Sequence, residues 1–309
     1  MRVVSAAEID HVLDYPGLIA AIAAAFAGGA VAPARHHHRI ERPGAEATLL
    51  LMPAWQENGG FIGVKLVSVF PDNAARQKPS VIGSYLLLSG ESGEPLALLD
   101  GVALTLWRTA ATSALVSSKL ARAEASHMTM IGAGALAPHL IAAHAAVRPL
   151  THVSIWNHNH DKAARLAERL TRPALTVTAT DHLESAVGHA DIVSAATLSR
   201  TPLVMGAWLK PGAHVYLVGA YTPAMREADD TAIERANVYV DTRAGMRESG
   251  DIAAPLASGA LHENDIAGEL ADIARGAAVR HDADDITLFK SVGNAIEDLA
   301  AAVTVWQRL

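Results

Sequence analysis

The sequence predicts an α/β protein in which a doubly wound parallel sheet is joined to a second, α+β domain. Three observations lead there. The chain has 309 residues, half of them hydrophobic, which suits two domains of roughly 100–200 residues each. From about residue 127 onward, strand-like and helix-like segments alternate with short loops, the signature of parallel βαβ units. Between residues 48 and 99, strand-like segments follow one another directly, as in an antiparallel meander.

Taken in order, Ser5 and Glu8 form a capping box that opens a helix. Pro16 suits the first turn of a second helix, which Gly28 and Gly29 end. Residues 48–53, 61–69, 81–88 and 96–99 read as strands, with a turn at 89–93. Their apolar positions are nearly continuous, so both faces of the meander are expected to be buried. A long helix is expected over about 102–124. Strands then follow at 127–131, 152–156, 175–179, 191–196, 214–218 and 238–241, with helices at 135–147 and 160–171. The segment 287–309 is expected as one helix that returns to the first domain. The domains so read are 1–115 with 288–309, and 116–287.

About a fifth of the residues are Ala, and the net charge is −7. Ala favours helix and close packing, and the apolar content excludes an intrinsically disordered chain. A mildly acidic sequence without a basic block argues against nucleic acid or an anionic membrane as partner. With no Cys, disulfides, thiolate nucleophiles and Cys-ligated metals are excluded. No run of about 18 uncharged apolar residues predicts a membrane span, and Glu8 and Asp10 interrupt any signal-peptide core. The cytoplasm is the expected compartment.

The strand at 127–131 runs into Gly132, Ala133, Gly134, Ala135, Leu136 and Ala137, and a helix follows. This is G-x-G-x-x-A in the setting of a Rossmann dinucleotide fingerprint. The first Gly makes the tight turn and the second lets backbone approach a pyrophosphate. The small third residue packs helix on strand, and the helix N-terminus faces the phosphates. At the end of the next strand, an NAD site usually places an acidic residue on the ribose 2′-hydroxyl. Here Asn157, His158, Asn159 and Lys162 are neutral or cationic and suit a 2′-phosphate, so NADP(H) is favoured over NAD(H). Asn157 also reads as a cap for the following helix.

Three cations fall among apolar residues before this loop: Arg35, Lys65 and Arg108. A Lys inside an apolar strand is unfavourable unless paired or used, and Arg offers a bidentate fork for a carboxylate. Together they suggest a site for a small amino or imino acid. Each alone also reads as an ion pair or a snorkelling side chain. Met52, in the neighbouring strand, joins them as a candidate substrate contact.

The segments Val64–Asn73, Asp100–Ala111, Gly132–Gly134 and Phe289–Asp298 resemble, in order and nearly end to end, the ornithine cyclodeaminase/mu-crystallin family. That family includes ornithine cyclodeaminases, amino-acid dehydrogenases and ketimine reductases. The resemblance implies a homodimer whose dimerisation and substrate domain combines the N-terminal part with the C-terminal helix. It implies that Arg35, Lys65 and Arg108 hold the substrate carboxylate, and that Lys65 also assists proton transfer. Ser80 and Ser291 match residues near the nicotinamide, and Thr197 and Leu198 match the loop beside the adenosine half. Asn157, His158 and Asn159 match a loop that holds a 2′-phosphate. Arg108, Ala133, Ala135, Leu136 and Val218 complete the candidate cofactor set.

Two departures bear on the activity. The family usually has Gln at the position of Leu136, whose loss removes one polar contact, about 1 kcal/mol. Cyclodeaminases and related alanine dehydrogenases have Asp where this chain has Tyr221, and that Asp is their expected acid/base for the substrate amine. A phenol with an ordinary pKa near 10 is a poor base at neutral pH, though it can donate a proton. The segment with Val218, Arg226 and Glu227 is closer to the mu-crystallin branch, which also lacks the Asp.

Reducing a preformed cyclic imine needs a hydride donor, a carboxylate anchor and a proton donor. The expected activity is therefore an NAD(P)(H)-dependent imine or ketimine reductase, or an amino-acid dehydrogenase. Ornithine cyclodeaminase is the runner-up, and a non-catalytic NADP or small-ligand binder the third reading. Lys65 and Tyr221 are the candidate catalytic residues. His36, His37 and His38 alternate in direction along a strand, so no metal site is expected. Ser249 and Asp251 read equally as helix caps or as a site rim.

Overall fold

A computed structural model describes residues 1–42, 45–79 and 81–309. The chain divides into two compact units, Met1–Thr109 with Asn294–Leu309, and Ala110–Gly293. In the first unit, β1 (Arg2–Val4) leads into α1 (Ala6–Val12), which opens on the capping box of Ser5 and Glu8. α2 (Tyr15–Ala27) is capped by Asp14 and has Pro16 in its first turn. Then come β2 (Ala30–Val31), β3 (His36–Arg42), β4 (Ala45–Gln56), β5 (Phe61–Val69), β6 (Val81–Ser89) and β7 (Pro95–Asp100). α3 (Gly101–Leu120) crosses the division between the units.

These strands form one sheet in the order β1-β7-β6-β5-β4-β2, with β3 also paired to β4. The meander is antiparallel, and only β1 joins it in parallel. Burial along β5 alternates: Gly63, Lys65 and Val67 are buried while Ile62, Val64 and Leu66 are half-buried. The expectation that both faces are buried is thus corrected. The period of two puts one set of side chains inward, and the apolar residues between them make up a less buried face.

The second unit holds β8 (His127–Ile131), α4 (Leu136–Val147), β9 (His152–Trp156), α5 (His160–Leu170), β10 (Thr176–Ala179), α6 (Leu183–His189) and β11 (Ile192–Ala195). It continues with β12 (His214–Leu217), α7 (Asp230–Glu234), β13 (Ala236–Val240), α8 (Gly250–Ser258), β14 (Ile266–Glu269), α9 (Leu270–Ala274) and β15 (Ile286–Lys290). The sheet order is β10-β9-β8-β11-β12-β15-β13-β14, and its pairs are parallel. The order reverses between β8 and β11, and such a switch point opens a crevice outside the carboxyl ends of the strands. Val193, Val215, Leu217, Val240 and Leu288 fill the core on one side of this sheet.

The C-terminal segment differs from expectation. Residues 286–290 are strand, and the last helix, α10 (Ala295–Arg308), starts only after Asn294. The run Ile-Thr-Leu-Phe is β-branched and aromatic, suiting a buried strand. Gly293, at φ +84°, breaks it, and Asn294 caps the helix. The inserted β15 lies between β12 and β13, so the units part at 109/110 and 293/294 rather than at 115/116 and 287/288. Among the described residues no single helix is long and apolar enough to cross a membrane; α1 and α2 pass that test only as a pair bent by 93°.

Two histidines are sealed in the second unit. Burial, with Arg148 nearby, lowers the pKa of His144 to about 3, and its Nε2 lies 2.7 Å from Ser113 Oγ. Burial also holds His214 well below its ordinary value, reinforced by His144, Arg280 and Arg148. Both stay neutral in the folded chain, whereas the unfolded chain protonates them below pH about 6.5. Their contribution to stability is therefore complete above pH 6.5 and is lost as pH falls towards 3. Each adds a slope of up to about 1.4 kcal/mol per pH unit. Urea unfolding at pH 7, 5.5 and 4.5 is expected to show this loss, and His144→Gln to flatten it; a pH-independent free energy would contradict it.

Candidate active site

In the first unit, cross-strand register sets Met52 opposite Lys65 and Lys65 opposite Tyr85. This row lies on the inward face of the sheet, where α10 packs on β4, β5 and β6. The first turn of α10 carries Glu297 and Asp298, where carboxylates also complement the helix dipole. Glu297 closes the capping box, its Oε1 accepting from the Asn294 N–H at 3.1 Å. Its Oε2 accepts from Arg108 Nη1 at 2.6 Å. Asp298 Oδ1 accepts from both Lys65 Nζ and Arg108 Nε, each at 3.1 Å.

All four charged side chains are buried. Burial lowers the Lys65 pKa to about 8; the charge of Asp298 opposes that shift and Arg108 adds to it. Two cations facing two carboxylates make a neutral quartet, the form in which charges persist inside a protein. An arriving substrate carboxylate would add a negative charge beside Lys65, which favours keeping its proton. Tyr85 is also sealed here, its hydroxyl pKa pushed up by burial and by Asp298. Tyr85 Oη and Asp298 Oδ2 have no hydrogen-bond partner among the described residues. Met52 is buried in the row, and Arg35 is half-buried just before the His36–Leu51 pair that adjoins Met52.

In the second unit, the glycine loop leaves β8 at the switch point. Gly132 takes φ +107°, and a Cβ on it would lie 2.6 Å from the carbonyl oxygen of Ala196. Its N–H donates to Trp156 O at 2.8 Å. Gly134 has open space where its Cβ would be. No side chain caps α4; the Ala137 N–H donates to Gly134 O at 3.1 Å and Pro138 has no N–H, so an anion here would be met by the N–H groups that lead into the helix. Ala135 precedes the helix, Leu136 is its first residue, and Ala137 is buried against the sheet.

A cleft of about 470 Å³ opens here, and Gly132, Ala133, Gly134, Asn157, His158, Lys162, Thr197 and Leu198 all line it. Such a volume is in the range of small-molecule sites. Glycine turn, uncapped helix and open Gly134 together fit a dinucleotide pyrophosphate. Asn157 bridges the cleft's edges: its Oδ1 accepts from the Ala133 N–H at 3.3 Å and its Nδ2 donates to Asn159 O at 2.9 Å. The cap of α5 is Asn159, not Asn157, with Oδ1 accepting from the Lys162 N–H at 3.2 Å.

Other candidates lie outside the cleft lining. Val218 follows β12, its N–H donating to Ala195 O at 3.0 Å. Ser291 is buried, and its Oγ donates to Asp241 Oδ2 at 3.3 Å. The same oxygen takes the N–H groups of Val292 and Gly293, each at 2.7 Å. Tyr221 sits 46% exposed in the loop after β12. Ser80 lies outside the described residues. His36, His37 and His38 are exposed along β3.

Sequence reasoning assigned no role to Glu297, Asp298, Glu227, Asp241 or Lys290, all buried charges. The signal for the first pair was present, since two acids open an otherwise apolar helix. For Glu227 and Lys290, only the three-dimensional pairing supplies a reason. Ser249 caps α8, and Asp251 Oδ1 takes two backbone N–H groups, those of Glu227 at 2.6 Å and Ala228 at 3.1 Å.

The family model of the ornithine cyclodeaminase/mu-crystallin family matches residues 1–309. A Delta(1)-pyrroline-2-carboxylate reductase of Colwellia psychrerythraea is 36% identical over 100% of this chain and 99% of its own length. The solved Delta(1)-pyrroline-2-carboxylate reductase of Thermococcus litoralis, in complex with NADH and L-proline, is 32% identical. It superposes with a TM-score of 0.92 over 100% of this chain and 97% of that one. An archaeal alanine dehydrogenase dimer with bound NAD also reaches a TM-score of 0.92, at 26% identity, covering 100% of this chain and 95% of that one.

Proposed function

The chain belongs to the ornithine cyclodeaminase/mu-crystallin family, and from that premise we propose that it reduces the C=N bond of a small cyclic 2-imino acid of the pyrroline-2-carboxylate type with NAD(P)H. It is an NAD(P)-dependent oxidoreductase of the family. The observation that carries the reading is the buried Lys65–Arg108 pair fixed by Asp298 and Glu297. The reductase and the L-proline complex among its relatives support it.

A nicotinamide dinucleotide supplies the hydride when bound. Gly132, Gly134 and the start of α4 would hold its pyrophosphate, with Thr197 and Leu198 also lining the cleft. Lys65 and Arg108, with Met52 in the same row as Lys65 and Arg35 beside it, would bind the substrate carboxylate. Reduction adds a hydride to the imine carbon and a proton to its nitrogen. Lys65, with its pKa lowered to about 8, is the better acid at neutral pH. We assign Tyr221 as a second candidate donor, since it stands where cyclodeaminases keep an Asp. We also assign a homodimer and the cytoplasm, with the first unit as the dimerisation and substrate domain.

NADP(H) is the favoured cofactor, on the absence of a carboxylate among the described cleft-lining residues near β9 and the presence of His158 and Lys162 there. Fluorescence titration with NADPH and NADH is expected to give the smaller Kd for NADPH; tighter NADH binding would reverse the assignment. The activity itself is tested by NAD(P)H oxidation with cyclic five- and six-membered 2-imino acids. Formation of proline and ammonia from ornithine, with no turnover of imino acids, would overturn it in favour of cyclodeamination.

A further inference from the structure

We propose that Glu227 is a positioning residue for dinucleotide binding: its one carboxylate locks the Thr197 wall of the cleft to the Gly219–Ala220 turn that leads into Tyr221. The inference rests on the dinucleotide reading of the cleft. It starts from a fully buried side chain to which the sequence alone assigns no role. Glu227 Oε1 accepts from the Thr197 N–H at 2.7 Å and from Thr197 Oγ1 at 2.9 Å. Oε2 accepts from the Gly219 N–H at 2.7 Å and the Ala220 N–H at 3.2 Å. Thr197 lines the cleft on its other side.

The two loops meet with no room between them. A Cβ on Gly219 would lie 2.1 Å from both the nitrogen and the oxygen of Thr197. The base of the clamp is fixed as well. Asp251 takes the backbone N–H groups of Glu227 and Ala228 with Oδ1, and its Oδ2 lies 2.9 Å from Lys290 Nζ. Lys290 Nζ is 3.9 Å from Glu227 Oε2. Burial pushes the Glu227 carboxyl up, and the Lys290 charge and the Thr197 donors act against that push. Four donors on two oxygens hold these loops in register. A movement of Thr197 therefore moves Gly219 and Ala220, and a ligand that orders the cleft wall also orders the Tyr221 loop.

Glu227→Gln isolates the effect, because an amide offers one acceptor oxygen and one donor group. Whichever way it turns, either the N–H and hydroxyl of Thr197 or the N–H groups of Gly219 and Ala220 then face an NH2. Dinucleotide Kd by fluorescence is expected to rise roughly tenfold to a hundredfold, the loss expected for hydrogen bonds to a charged group. Thr197→Val removes the hydroxyl's bond to Glu227 together with the bond it accepts from the Ser199 N–H at 3.3 Å and is expected to weaken binding several-fold, while Thr197→Ser restores it to within about twofold. Hydrogen exchange at Gly219–Tyr221 is expected to slow when dinucleotide binds the wild type, and to lose that protection in Glu227→Gln. Wild-type Kd values in folded Glu227→Gln and in Thr197→Val, or no dinucleotide-dependent protection in the wild type, would overturn the proposal. If Glu227→Gln fails to fold, the Thr197 pair and the wild-type exchange decide alone. A wild type that binds no dinucleotide would instead overturn the reading of the cleft.

Discussion

Lys65→Met is expected to lower kcat/KM for a cyclic imino acid by roughly 10²–10⁴-fold, the range for loss of a positioned proton donor. The variant keeps the length of the side chain and removes its charge, so Asp298 Oδ1 retains only Arg108. Removing one partner from a buried charge cluster is also destabilising, by about 3–5 kcal/mol when the remaining charge is left unpaired. Here Arg108 still faces Asp298, so the loss is expected below that range. Dinucleotide Kd is expected to stay within twofold, because the glycine-loop cleft is built wholly within Ala110–Gly293. Activity loss with unchanged dinucleotide binding separates a substrate role from global damage.

The pH profile makes the assignment sharper. Burial lowers Lys65 to about 8, with Asp298 pulling the other way. As a proton donor it acts in its charged form, so kcat/KM is expected to fall as pH rises through about 8. Lys65→Arg keeps a charge that does not titrate in this range. It should retain a residual activity whose basic limb is absent below pH 10. Persistence of a limb near pH 8 in Lys65→Arg would show that another group titrates. Lys65→Met within threefold of wild type would remove Lys65 from the mechanism.

Lys65 was legible in the sequence for the same reason that it is sensitive to substitution. It interrupts an apolar strand, and a cation there must be paired or used. The glycine loop was legible because strand, turn and helix are contiguous, so its spacing alone carries the geometry. The meander was legible from its β-rich runs, but the inequality of its faces was not. Apolar residues stand on both sides of β5, and only the packing of α10 decides which side is sealed. The strand β15 was missed because its partners β12 and β13 lie far from it in sequence and flank it in space. Lys290, at its end, falls in a segment that reads from the sequence as one helix. Glu227 escaped for a related reason: its four donors come from two loops separated from each other by a strand and a long connection. A local pattern has no access to such a clamp.

Gly132→Ala and Gly134→Ala are expected to separate fold from binding at the glycine loop. At Gly132 an added methyl meets a backbone oxygen at 2.6 Å, and the φ of +107° strains any L side chain. Backbone strain of this kind is worth about 1–3 kcal/mol, and the rigid contact with Ala196 adds to it. For a unit of this size, each kcal/mol lowers Tm by roughly 2–4 °C, so a fall of several degrees is expected. Relief of the clash has to displace β8's end or the Ala196–Thr197 wall, and dinucleotide binding is expected to weaken roughly a hundredfold, equivalent to about 3 kcal/mol. At Gly134 the methyl meets nothing within 4 Å, so Tm is expected to stay unchanged. It nevertheless occupies the space through which backbone would approach a pyrophosphate, and Kd is expected to rise at least tenfold. Thermal melts and fluorescence titration of both variants give the answer together. Wild-type affinity in Gly134→Ala would mean that the phosphates do not lie on this loop, whatever Gly132→Ala does to stability.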